Sequence, residues 1–300
     1  MGISAGLSIV TMPDMKKPYP TLLDFLVVRF PKIPAKTWTN RIIAGKVLSE
    51  EGHPVAMDMP YLPNKRLFYS REVDEEPLIP FQEQILFKND HLMVVCKPHF
   101  LPVIPGGPYV SESLINRLKE KTGNPFLSPI NRIDRGTAGL VLISTSKETR
   151  GTYQQMFMNG QVQKTYEAVA HFSNGSGQTE WMVENRIESG EPWFRMKTCV
   201  GKVNACSKIR LVEIGKTQAR FQLLPLTGKK HQLRIHLSEL GFPIVNDRYY
   251  PVLRPEMPDD FNMPLQLLSR KIQFKDPVTG VEMSFESGRN LILESTATAT

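Results

Sequence analysis

The chain has 300 residues, with 37 Lys or Arg against 30 Asp or Glu, a net charge of +7 and a pI near 9.2. That length allows one large domain or two smaller ones, and the modest basic excess fits a nucleic-acid partner without demanding one. The odd cysteine count (Cys96, Cys199, Cys206) without C-x-x-C spacing speaks against a disulfide framework or structural zinc, and no apolar run approaches the ~20 residues of a membrane span.

No secretory signal pattern opens the chain, so a cytoplasmic protein is expected, and a monomer. Residues 1–18 read as a loosely held leader. Thr21-Leu22-Leu23-Asp24 has the form of a capping box opening a short helix through Phe30. Pro31 and Pro34 break the chain, and a second helix is expected from about Lys36 to Ala44, ended by Gly45. Lys46-Val47-Leu48 then leads through Glu51-Gly52 into a hairpin-like stretch. Arg29, Lys32, Lys36, Arg41 and Lys46 supply a thin basic face. Residues 72–80, EVDEEPLIP, read as a linker, so residues 1–80 are expected to form a separate small unit. Before residue 81 there are 10 basic and 9 acidic residues, and after it 27 and 21, so most of the positive excess lies in the larger part.

From residue 81 onward, strand patterns alternate with a few helices. Ile85–Phe87 and Leu92–Cys96, joined at Asn89-Asp90, predict a hairpin. Ser113–Lys121 and Lys147–Met158 predict helices, and Gln163–His171, Ala205–Glu213 and Gln218–Leu224 predict strands. Without a regular βαβ period, the fold class is α+β around a mainly antiparallel sheet flanked by helices, spanning residues 81–292. Residues 293–300 are expected to be a disordered tail.

Residues 131–142, NRIDRGTAGLVL, place Asp134 between Arg132 and Arg135, ahead of a run that predicts a buried strand. A carboxylate beside fixed positive charge stays ionised and can serve as nucleophile or base. A surface Arg-Asp-Arg ion pair is the plainer alternative. Gly136, Ala138 and Gly139 are read as leaving room for a ligand to approach the backbone.

Residues 225–250, PLTGKKHQLRIHLSELGFPIVNDRYY, predict a helix from Lys229 through Leu240, with Leu233, Leu237 and Leu240 on one face and Gly241 ending it. Lys229, Lys230, His231 and Arg234 are expected to crowd its first turns, where exposed N–H groups favour anions. His231 and His236 are five apart, not the four that align two metal ligands on one helix face.

Together these two stretches resemble the RluA-type pseudouridine synthases, in which HRLDxxTSGLL and TGRxHQLRxHLxxxGxPIxGDxxY segments build one active site. Lys164-Thr165-Tyr166-Glu167-Ala168 resembles the family's K-x-Y-x-A strand. Val94-Val95-Cys96-Lys97-Pro98 followed by Leu101-Pro102-Val103 resembles its KPxGLPV entry, and Phe274 to Gly280 its F-x-H-P-x-T-G hairpin. The matches keep family order over roughly residues 85–290. Asn131, Ala138, Lys229, Asn246 and Gln266 depart from the family's usual His, Ser, Arg, Gly and His. The helix-helix-hairpin order of residues 1–80 is also similar to a ribosomal S-four type RNA-binding module; an ordinary helical cap is the alternative.

The resemblance implies an RNA pseudouridine synthase acting on ribosomal or transfer RNA, with no cofactor and no metal. It implies Asp134, Tyr166 and Arg234 as the catalytic residues. Asp134 attacks C1′ or takes a ribose proton, Arg234 pairs with it, and Tyr166 lies against the target base. Arg132 either helps displace the base from its stack or binds phosphate. Lys229 and Lys230 would contact phosphate, Leu233 would lie beside the base or in the core, and His231 and Gln232 could fix loop geometry. The competing functional reading is a non-catalytic RNA-binding or RNA-chaperone protein on the same fold. A glycoside hydrolase would need a second carboxylate acid, and Glu167 points to the face opposite Tyr166.

Overall fold

The computed structural model describes all residues except 1, 4–6, 16, 32, 70–71, 74–75, 174–176 and 295–300. The chain divides into two compact units, residues 1–77 with 105–112, and residues 78–104 with 113–300.

The first unit contains β1 (Gly2–Ile3), β2 (Ser8–Thr11), α1 (Leu22–Arg29), α2 (Ala35–Ile43), β3 (Val47–Leu48), β4 (Arg66–Tyr69) and β5 (Glu72–Val73). The Thr21 capping box forms as the sequence predicts. The Thr21 hydroxyl accepts from Asp24 N, and the Asp24 carboxylate accepts from Thr21 N. Two orphan donors of the first turn are thereby satisfied. Gly45, at φ 66°, turns the chain out of α2.

The expected leader is not loose throughout. β2 pairs with β4, which also pairs with β3, and Val10 and Met12 are buried with Phe25, Trp38 and Leu67. A four-residue strand carries too little periodicity to read in advance. Part of the expected linker also has a structural task. The Glu76 carboxylate accepts from the backbone N–H groups of Val110, Ser111 and Glu112, holding residues 105–112 in this unit. Lys32, counted in the basic face, and Ser295–Thr300 of the expected tail lie outside the described residues.

The second unit is α+β. It runs through β6 (Gln84–Lys88), β7 (Leu92–Lys97), α3 (Leu114–Thr122), β8 (Ser128–Pro129), β9 (Ala138–Ser144), α4 (Lys147–Met158), β10 (Gln163–His171), β11 (Glu180–Ser189) and β12 (Met196–Cys199). It continues with β13 (Ala205–Ile214), β14 (Gln218–Pro225), α5 (Gln232–Glu239), β15 (Leu267–Lys275) and β16 (Glu282–Glu286). One sheet orders these strands β12-β11-β13-β14-β10-β15-β9-β7-β6, with β16 on β15 and β8 on β9. Its pairs are antiparallel except β15 with β9.

β7 and β9 are buried at every position, as continuous apolar runs require when both faces are covered. The sheet brings distant segments into line. Tyr166 of β10 stands opposite Ser269 of β15, and Ser269 stands opposite Gly139 of β9. The segment leading into β9 is therefore carried to the same end of the sheet as Tyr166. No helix among the described residues is long and apolar enough to cross a membrane.

The small residues of the 136–139 segment serve packing, contrary to the ligand-access reading. A Cβ on Gly139, whose φ is 107°, would sit 2.2 Å from the Ser269 carbonyl oxygen, and one on Gly136 would meet Leu265 at 3.3 Å. The β15 backbone at Gly139 and the Leu265 side chain at Gly136 fill the space the sequence left open. Leu293, placed in the expected tail, packs in the core with Val169 and Leu268, and Glu294 accepts from Thr217 Oγ1.

Candidate active site

Three anchors shape the loop before β9. Buried Lys97 donates from Nζ to the carbonyls of Pro98, Leu101 and Arg135 at 2.9, 2.7 and 3.2 Å. His99 Nδ1 lies 2.7 Å from the Gly136 carbonyl oxygen. Arg135 grips Asp259 with two bonds of 2.6 and 2.9 Å. Asn131, where the family usually has His, accepts from Leu142 N through its side chain and so ties the loop to its own strand.

Arg135 is thus engaged with Asp259, and Arg132 is exposed. The cation beside Asp134 comes from 100 residues away. Arg234 Nη1 donates to Asp134 Oδ2 at 3.1 Å, while its Nε and Nη2 donate to Asp247 at 2.7 and 2.6 Å. The Arg-Asp-Arg sequence neighbourhood therefore does not supply the expected charge; tertiary structure does. Asp247 also accepts from Tyr249 N and Tyr250 N, so four N–H donors hold one buried carboxylate. The Arg234 guanidinium carbon stands 4.8 Å from the Tyr249 ring centroid and 5.4 Å from that of Tyr250. A planar fork between two carboxylates and two rings has little freedom to turn.

His231 is the second neighbour of Asp134. Its Nε2 is 3.8 Å from Asp134 Oδ2, and its Nδ1 is 2.9 Å from the Tyr250 hydroxyl, which accepts from Met196 N. The Asp134 side chain keeps 28% exposure against 7% for Arg234 and 5% for His231. The carboxylate is thus the part of the cluster open to an incoming ligand. Burial pushes the Asp134 carboxyl up, but His231, Arg234 and the Arg234 hydrogen bond together bring it below its usual value. Burial drops His231 to about 4, leaving the imidazole uncharged at neutral pH, so Arg234 is the lasting cation.

Tyr166 is half-buried, stands opposite Leu223 of β14 and packs against the core cluster that includes Phe221 and Leu233. Burial, with the Asp134 charge adding to it, pushes its hydroxyl up to about 12. The phenol is neutral at physiological pH. Leu233 is 7% exposed within the same core cluster, as its helical spacing allowed. Glu167 points away from Tyr166 and pairs with Arg270 at 2.8 Å and Arg220 at 3.6 Å.

The helix begins later than its pattern suggests. α5 starts at Gln232, and His231 precedes it with φ 57°. Gln232 explains the difference. Its Oε1 accepts from Thr227 Oγ1 and Lys229 N, and its Nε2 donates to Cys206 O and Ser207 Oγ. These bonds hold residues 227–231 as a turn, with Lys229 and Lys230 exposed on it. Asp247 and Tyr250 were visible in the sequence only as parts of a motif. Their signal was a buried Arg that needed more acceptors than Asp134 could offer.

A large, mainly antiparallel sheet with interspersed helices is an architecture this chain shares with solved pseudouridylate synthase domains. The solved structure of human RNA pseudouridylate synthase domain containing 1 superimposes with a TM-score of 0.57 over 71% of this chain and 86% of that one; at 21% identity this establishes the fold. Residues 91–239 match the RNA pseudouridylate synthase family. The chain is 31% identical over 221 residues to the dual-specificity RNA pseudouridine synthase RluA of Haemophilus influenzae, covering 70% of this chain and 94% of that one. It is 29% identical over 181 residues to the mitochondrial tRNA pseudouridine(32) synthase of Saccharomyces cerevisiae, covering 59% and 38%. The chain belongs to the RluA-type RNA pseudouridine synthase family and is an isomerase acting on RNA.

Proposed function

We propose that the chain isomerises specific uridines of ribosomal or transfer RNA, with Asp134 as the essential carboxylate. The observation that carries this reading is the Asp134–Arg234–Asp247 array. One carboxylate is open and ionised, and the other is buried behind the arginine that orients the first. Isomerisation breaks the N1–C1′ bond, turns the freed uracil and rejoins it through C5. Asp134 serves as nucleophile at C1′ or as base toward a ribose proton, and both routes need it deprotonated. Arg234 positions Asp134. Tyr166 supplies a ring against the base, and its neutral hydroxyl can hold or pass a proton.

Exposed Arg132 fits a role in displacing the target base, and Lys229 and Lys230 fit phosphate contacts. His231 fits a loop-fixing role through Tyr250. Leu233, in the apolar cluster against which Tyr166 packs, fits a place beside the base or in the core. The small unit, residues 1–77 with 105–112, is read as an RNA-binding module, with an ordinary helical cap as the alternative. The names of the two relatives support RNA as substrate, and one of them names transfer RNA.

The test is pseudouridine mapping across total RNA from cells lacking the gene, complemented with wild type or Asp134→Ala. One or a few sites restored only by wild type is the expected result. Restoration by Asp134→Ala would remove the carboxylate from the mechanism. No change at any site would favour the non-catalytic RNA-binding reading.

A further inference from the structure

Between β11 and β12 the chain makes a tight turn, Gly190-Glu191-Pro192-Trp193-Phe194-Arg195. Gly190 N donates to Arg195 O, and Arg195 N to Pro192 O. The closed turn holds Trp193 outward, and 77% of this largest of side chains faces solvent. Such exposure is unusual for Trp and marks a contact surface when it is not isolated.

Here it is not isolated. The Trp193 ring meets Phe194 edge-on at 5.9 Å, and Phe194 meets Tyr249 at 5.3 Å. Tyr249 lies under the Arg234 guanidinium at 4.8 Å, and Arg234 reaches Asp134 at 3.1 Å. The exposed indole is thus the outer end of an unbroken series of contacts leading to the open carboxylate. Cations border it. Lys230 Nζ stands 6.0 Å from the Trp193 ring centroid, and Arg195 covers Tyr250 at 5.1 Å.

We propose that Trp193, with Lys230 beside it, is a stacking platform for an unpaired nucleotide flanking the target uridine in single-stranded RNA. The inference rests on the RNA isomerase reading and adds an RNA-engaging element to it. A flat exposed ring accepts any base on its face, and an adjacent ammonium takes the phosphate that follows. Continuity with the site and positive charge favour RNA over an apolar protein partner as occupant. Once bound, the strand is held at the flanking nucleotide by Trp193 while the displaced uridine reaches Asp134.

The experiment is fluorescence anisotropy of 5′-labelled decaadenylate and decauridylate with the full chain at low salt. Trp193→Ala is expected to weaken both by about tenfold, about 1.4 kcal/mol, with the melting temperature unchanged because the side chain is exposed. Trp193→Phe should stay within about threefold of wild type, and Lys230→Ala should weaken binding and reduce its salt dependence. Equal affinity of Trp193→Ala and wild type, or equal losses for the Ala and Phe variants, overturns the stacking platform. Pseudouridine formation in total RNA by wild type is scored separately. A wild type that isomerises RNA while Trp193→Ala binds normally overturns this inference alone. A wild type that makes no pseudouridine but loses decaadenylate affinity on Trp193→Ala overturns the isomerase reading and supports the platform.

Discussion

Arg234→Lys isolates what the guanidinium contributes beyond charge. The native fork makes three charge-assisted bonds, at 2.6, 2.7 and 3.1 Å, to two carboxylates lying in different directions. A single ammonium on a flexible stem cannot span both, and Asp247, fully buried, is the partner it must serve. Asp134 then loses its hydrogen bond and its fixed orientation. Losing at least one such bond costs about 1.5–3 kcal/mol, which for a unit of this size lowers the melting temperature by roughly 3–12 °C. Turnover should fall about 100-fold, the scale of a small misplacement of a reacting group, with KM little changed. Burial raises the Asp134 carboxyl and Arg234 opposes that, so the acid limb of the rate profile should move to higher pH in the variant. The assay is chromatographic detection of pseudouridine in nuclease-digested RNA taken from cells lacking the gene, run from pH 3 to 8 so that the acid limb of both proteins is covered. Activity within fivefold of wild type with an unmoved acid limb would refute the positioning role. A purely structural role would lower stability without moving that limb.

Gly139→Ala should cost at least about 3 kcal/mol, because a Cβ would strike the β15 backbone at 2.2 Å in a conformation that already disfavours side chains; a denaturation midpoint equivalent to less than 1 kcal/mol of loss would show that the β9–β15 approach is slack. Stability should also fall as pH drops from 7.5 to 5. Burial lowers His99, His231 and His236 from 6.5 to about 4, so below 6.5 the unfolded chain binds protons that the folded chain refuses. The stability each confers is complete above about 6.5 and declines toward 4, with roughly 2 kcal/mol per histidine gone by pH 5. Denaturant melts at the two pH values test this, and equal or greater stability at pH 5 would contradict it.

Much of the fold was legible because local periodicity and tertiary burial agree. The hairpin of β6 and β7, the helices α3 and α4, and strands β10, β13 and β14 fall where the patterns placed them. The Thr21-Asp24 capping box reports its helix start through bonds three residues apart, which sequence displays directly. β2 and the late start of α5 were not legible. The first is too short to show a period, and the second is decided by Gln232 bonds to residues in another strand and turn.

For the site, the sequence by itself supplied the chemical parts. It carried a carboxylate that can react, an arginine, a tyrosine and basic neighbours, in an order similar to one family, because those side-chain types are intrinsic to the chain. Which charges act on which groups was decided only by tertiary structure. The nearest arginine in sequence, Arg135, turns to Asp259, and the one that orients Asp134 arrives from α5 already fixed by Asp247. Electrostatic coupling falls off with spatial distance, not chain distance, and the sheet register that sets those distances is a property of the folded whole.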